Sequence, residues 1–257
     1  MPCSRRGLVI RDCLDTFRLL PPVERLVPRG SVVFVVCWSA KGGSGTTVVA
    51  SALALLLAGH APTRLVDLTG DAIAALGMAE PTGPGITEWA AVPHATADAL
   101  WRLAAPVADG LDLVPAGHAE AIDAVAWERL VTAADTEGCI TVVDAGGPPP
   151  PVAHAGADRS VLVIRPCYLA LRRAARCSGA TDVVMVAEPG RALRAADVER
   201  AIGLPILAEV GWDPAIARAV DAGLLATRLP GELARGLRRL AASIASPASL
   251  RAAGPAA

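Results

Sequence analysis

Three glycines within four positions, Gly42, Gly43 and Gly45, separate an apolar β-branched run at 32–37 from a long Ala/Leu/Val stretch at 46–58. A glycine-rich turn that directly follows a strand and opens a helix aims several backbone N–H groups, and the positive end of the helix, at one anion-sized space. The segment Ala40-Lys41-Gly42-Gly43-Ser44-Gly45-Thr46-Thr47 therefore reads as a phosphate loop. Its glycines permit the tight turn and close approach of a ligand, and Thr47 stands where a hydroxyl can coordinate Mg²⁺.

The rest of the chain suits such a loop. From residue 31 onward, apolar runs alternate with Ala/Leu/Arg stretches at helical spacing, the pattern of strand-helix-strand units around a parallel sheet. Strands are expected near 32–37, 64–67, 111–114, 139–144, 160–164, 182–186 and 205–210. Helices are expected near 46–58, 71–76, 97–104, 123–134, 169–177, 195–202, 214–222 and 231–244. The fold class is α/β: a doubly wound, mostly parallel seven-stranded sheet with helices on both faces. Residues 1–30, broken by Pro21, Pro22 and Pro28, read as an extension leading into a domain over 31–245, and the Ala/Pro-rich 246–257 as a flexible tail. The stretch 80–85 reads as a turn-rich excursion.

Bulk properties narrow the function. Hydrophobic residues fill 53% of the 257 positions, ample for a buried core, while aromatics at 3% are too few for a base-stacking nucleic-acid platform. A formal net charge of −1 gives no general attraction to phosphate backbones or anionic lipid, so DNA is not expected as a partner and membrane contact is expected to be peripheral at most. The longest apolar stretch, 48–58, is short of the ~20 residues a spanning helix needs, and the N-terminus lacks a secretory pattern, so a cytoplasmic protein is expected. Six cysteines without a C-x-x-C pair read as reduced thiols, and the four histidines show no metal spacing.

Lys41-Gly42-Gly43-Ser44-Gly45-Thr46-Thr47 resembles the deviant Walker A motif of the MinD/ParA ATPases, K-G-G-x-G-K-[ST], whose hallmark is the early lysine. The resemblance implies a P-loop NTPase fold, ATP or ADP with Mg²⁺ as cofactors, and a nucleotide-dependent homodimer in which Lys41 reaches the partner's nucleotide. The chain departs from that motif at Ala40, where glycine is usual, and at Thr46, where the second lysine is expected. The K-G-G-x-G-T-T variant is similar to the CpaE/TadZ branch, associated with Flp-type pilus assembly and polar localisation. Loss of the second lysine removes a charge-assisted contact to the β/γ-phosphates, worth about 1.5–3 kcal/mol. It removes transition-state stabilisation as well, worth about 10²–10³ in rate. Weak or absent hydrolysis is expected.

Further motifs extend the resemblance over about residues 31–230. The run 139–144 ending in Asp144, followed by Ala145-Gly146-Gly147-Pro148, resembles a Walker B strand with switch II, placing Asp144 beside Thr47 as a metal-site residue. Leu65-Val66-Asp67-Leu68-Thr69-Gly70-Asp71 resembles switch I, where the usual D-x-D has its second acid replaced by Thr69. Either Asp67 or Asp71 is then the catalytic acid, with Lys41, unless Asp71 only caps the next helix. At 184–189 the asparagine that often reads adenine in the family is missing. Two arginine clusters, Arg172/Arg173/Arg176 and Arg235/Arg238/Arg239, read first as solvated helix faces. The implied role is a nucleotide-dependent switch that positions a pilus or secretion apparatus, or the division septum, with protein partners in those machines and a location in the cytoplasm, at the inner membrane face or at a cell pole. Two rivals are an active ParA-type partitioning ATPase and a nucleotide-free pseudo-ATPase scaffold.

Overall fold

The computed structural model describes residues 31–119, 121–135, 138–246 and 251–252. The expected extension at 1–30 lies outside them, as does most of the expected tail. Strands are β1 (Ser31–Trp38), β2 (Thr63–Asp67), β3 (Ala105–Ala108), β4 (Leu111–Val114), β5 (Ile140–Gly146), β6 (Arg159–Ile164), β7 (Asp182–Ala187), β8 (Ile206–Gly211) and the two-residue β9 (Arg251–Ala252). Helices are α1 (Thr46–Ala58), α2 (Ala72–Leu76), α3 (Ile86–Ala91), α4 (Ala97–Trp101), α5 (Ala124–Ala134), α6 (Pro151–Gly156), α7 (Tyr168–Ala174), α8 (Ala195–Ile202), α9 (Pro214–Asp221) and α10 (Gly231–Ala245).

The sheet runs β3-β4-β2-β5-β1-β6-β7-β8, with β9 pairing antiparallel to the start of β1. All pairings from β4 to β8 are parallel. The expected seven strands become eight plus β9, because β3 forms an antiparallel hairpin with β4 around Asp109-Gly110, where Gly110 takes φ 75°. Pro106 is tolerated there because β3 is the edge strand.

Alternation along β1 sorts the two layers. Val33, Val35 and Cys37 face a core built with α1, α2, α9 and α10, while Phe34, Val36 and Trp38 face one built with α3 to α8. Both sides of β1 are thus buried, which is why its sequence is continuously apolar. The stripe Leu233, Leu237, Leu240 and Ile244 of α10 is buried, and Arg235, Arg238 and Arg239 sit on its exposed face. Among the described residues no helix is long and apolar enough to cross a membrane. Cys37, Cys139, Cys167 and Cys177 are free thiols.

Candidate functional site

β1 ends between β5 and β6, so the loop leaving it emerges where neighbouring strands carry the chain in opposite directions across the sheet, the usual ligand crevice of open parallel sheets. Gly43 (φ 76°) and Gly45 (φ 91°) take left-handed conformations that other residues adopt only with strain. Ser44 is buried, and its hydroxyl donates to the carbonyl of Lys41 at 2.6 Å, closing the turn. Ser39 donates to the carbonyls of Lys41 (3.1 Å) and Gly146 (2.9 Å), tying the loop to the end of β5. Gly45 serves as the N-cap of α1 and offers no side chain, whereas Thr96, Asp123 and Asp213 each cap their own helices with an oxygen. The first turn of α1 therefore keeps its N–H groups for a ligand.

Lys41 folds back on its own loop, Nζ donating to the Gly42 carbonyl at 3.1 Å. Thr46 is buried at the first position of α1. Thr47 follows, its hydroxyl 3.4 Å from that of Thr69. Thr69 in turn donates to Asp67 Oδ1 (2.9 Å) and lies 3.1 Å from Asp144 Oδ2. The structure thus gathers Thr47, Asp144, Asp67 and Thr69 at the adjoining ends of β2, β5 and α1.

Asp144 is fully buried, and its carboxyl is pushed up to about 6. Burial is the main cause and the charge of Asp67 adds to it; hydrogen bonds from Thr47, the Gly146 amide and Thr69 pull the other way. A buried carboxylate beside a second one, with hydroxyl oxygens around it, suits a hard divalent ion. Thr47 and Asp144 are the residues that would hold Mg²⁺.

Asp67 has another occupation. Its Oδ1 accepts from the amides of Thr69 (2.8 Å) and Gly70 (2.9 Å) as well as from the Thr69 hydroxyl, and its Oδ2 accepts from the amide of Ala72 at 3.0 Å. That carboxylate braces the turn from β2 into α2. Asp71 is exposed at the start of α2 and makes no side-chain capping bond.

A cleft of about 260 Å³ opens beside the loop, walled by Val48, Val186, Val210, Trp212, Ile216 and Val220. Trp212 is 51% exposed, a flat apolar face at the mouth. One cationic residue at this site carried no signal in the sequence: Arg165, just past β6, donates through Nη1 to the Gly43 carbonyl at 3.2 Å.

No family model and no curated protein matches the chain. Solved structures do. A ParA family ATPase from Chlorobium tepidum TLS superposes with TM-score 0.68 at 19% identity, over 82% of this chain and 98% of that one. A chain of the MinC:MinD cell division protein complex of Aquifex aeolicus gives 0.66 at 19%, over 82% and 95%. The septum site-determining protein MinD of Pyrococcus horikoshii OT3, complexed with Mg-ADP, gives 0.64 at 16%, over 82% and 95%. The chain has the fold of the ParA/MinD ATPases.

Proposed function

We propose that the chain is an ATP-binding spatial regulator of the CpaE/TadZ type, a nucleotide-dependent switch that positions a pilus or secretion apparatus or the division septum. The observation that carries the nucleotide reading is the loop itself: an uncapped helix start behind two left-handed glycines, with Thr47 and Asp144 converging beside it. Gly42–Thr47 would hold the phosphates of ATP or ADP, Thr47 and Asp144 would hold Mg²⁺, and the apolar cleft with Trp212 would be open to the base. Lys41, held in this single chain only by its own loop, is free to reach a second copy when ATP is bound.

Hydrolysis is weak or absent. Three features support this: Thr46 stands where the second lysine would act, Thr69 where the second acid of switch I would act, and Asp67 spends both oxygens on backbone amides. Asp71 is the remaining acid of that segment, and Lys41 the only cation of the loop itself.

Isothermal titration with ATP and ADP, with and without Mg²⁺, tests the reading. Binding that strengthens with Mg²⁺, together with phosphate release no faster than that of an Asp144→Asn control, is the expected result. Absence of heat with either nucleotide overturns it in favour of a nucleotide-free scaffold, and rapid phosphate release in favour of a working ATPase.

A further inference from the structure

With threonine at position 46, the eight-residue loop holds one cation, Lys41, and that side chain points back along its own backbone. A second cation arrives from outside the loop. The guanidinium of Arg165 touches the Gly43 carbonyl with Nη1, and its Nη2 donates to Glu188 Oε2. Glu188, one residue past β7, also accepts from Arg191, through Nε at 2.8 Å and Nη2 at 2.6 Å. Two guanidiniums thus share one carboxylate, leaving a net positive charge against the rim of the loop. The cleft wall holds two acids: Asp213, engaged in capping α9 through the amide of Ala215 at 2.8 Å, and Asp221, exposed at the other end of that helix.

The placement is fixed and unsatisfied together. Arg165 Nε is buried with no hydrogen-bond partner, and the guanidinium carbon lies 5.6 Å from the Trp212 ring centroid. Arg165 lines the cleft with Gly43, Ser44 and Gly45, at the junction between the phosphate loop and the apolar walls. A neutral carbonyl is a weak partner for a guanidinium, whose planar fork matches phosphate oxygens far better.

We propose that Arg165 supplies to the phosphate chain the charge that Thr46 does not, its guanidinium leaving the Gly43 carbonyl for a phosphate oxygen while Glu188 holds it in place. This rests on the nucleotide reading above. Arg165 is a binding residue, and Glu188 its positioning residue.

The test is titration of the full chain with ATP and with sodium tripolyphosphate, which has neither base nor sugar, over a series of NaCl concentrations. The wild type is compared with Arg165→Gln and Arg165→Lys, each checked for an unchanged thermal midpoint. The expected result is binding of both ligands by the wild type, a 10- to 100-fold loss of both affinities in Arg165→Gln with a shallower salt dependence, and recovery of most of the salt dependence in Arg165→Lys. Wild-type binding with Arg165→Gln within twofold for both ligands overturns the role of Arg165 and leaves the nucleotide reading standing. A wild type that binds neither ligand overturns both. Arg165→Lys as weak as Arg165→Gln and equally insensitive to salt also overturns the proposal, because a positive charge at that position would then add nothing to binding.

Discussion

Asp67→Asn separates a bracing carboxylate from a catalytic one. Asparagine presents one carbonyl oxygen. Turned toward the present Oδ1 position, it still accepts from the amides of Thr69 and Gly70, but its NH₂ then faces the buried amide of Ala72. One charge-assisted bond is lost and a donor meets a donor, at about 1.5–3 kcal/mol. The retained bonds weaken to those of a neutral acceptor. Against this, removing the charge of Asp67 relieves its repulsion with Asp144, but only where Asp144 is ionised, above about pH 6. The variant is therefore expected to lose about 3 kcal/mol at pH 5 and measurably less at pH 7.5, out of the 5–15 kcal/mol typical of a domain. Urea unfolding without Mg²⁺ at the two pH values reads both numbers, with Asp71→Ala as an exposed control within about 0.5 kcal/mol of wild type. An Asp67→Asn variant as stable as wild type at pH 5 would refute the bracing role, and a penalty that grows with pH would refute the coupling to Asp144.

Three other outcomes follow from the same geometry. Because the folded-state value of Asp144 lies above its ordinary 3.8, the stability it contributes is complete below about pH 4 and lost as pH rises through about 6. Asp144→Asn without Mg²⁺ should thus gain on wild type across that window, by up to about 3 kcal/mol at 1.36 kcal/mol per pKa unit; parallel urea-midpoint curves from pH 4 to 8 count against it. Thr46→Lys should tighten ATP binding about 10- to 150-fold in calorimetry while leaving phosphate release low, since Thr69 still replaces the second acid; unchanged affinity refutes the account of position 46. Gly85→Ala should cost more than about 3 kcal/mol in chemical unfolding, because a Cβ there would stand 2.2 Å from the Gly117 amide nitrogen and 2.4 Å from the Pro115 carbonyl oxygen. A near-neutral Gly85→Ala would mean that the α3 and β4 loops part easily.

What was readable in the sequence was what is contiguous in it. The seven strands with β-branched runs and the loop at 40–47 have local signatures, and α1, α8 and α10 are found at or within a residue of their expected bounds. β3 escaped because Ala105-Pro106-Val107-Ala108 has almost no strand preference, and only the Asp109-Gly110 turn marks the hairpin. The helix expected over 97–104 accordingly stops at Trp101. α3 escaped because glycine is its N-cap; the oxygen that satisfies the Gly85 amide is supplied by Glu88 at 2.7 Å.

The site divides along the same line. Asp67 carried a local clue to its engagement, an aspartate two residues before Thr69-Gly70, the spacing at which a carboxylate turns onto its own following amides. Arg165 had none. It stands 122 residues from Gly43, and its place is set by the pairing of β6 beside β1, which brings the residue after Ile164 to the rim of the loop. A missing charge in a phosphate loop is thus visible locally, but its replacement is a property of strand order. The chemistry is different at the other end of the site: the carboxylates that adjoin Thr69 are Asp67, spent on backbone amides, and the buried Asp144, whereas Arg165 meets the loop at the Gly43 carbonyl. The threonine at 46 therefore weighs on both binding and turnover, the threonine at 69 on turnover, and Arg165 bears on the first of these alone.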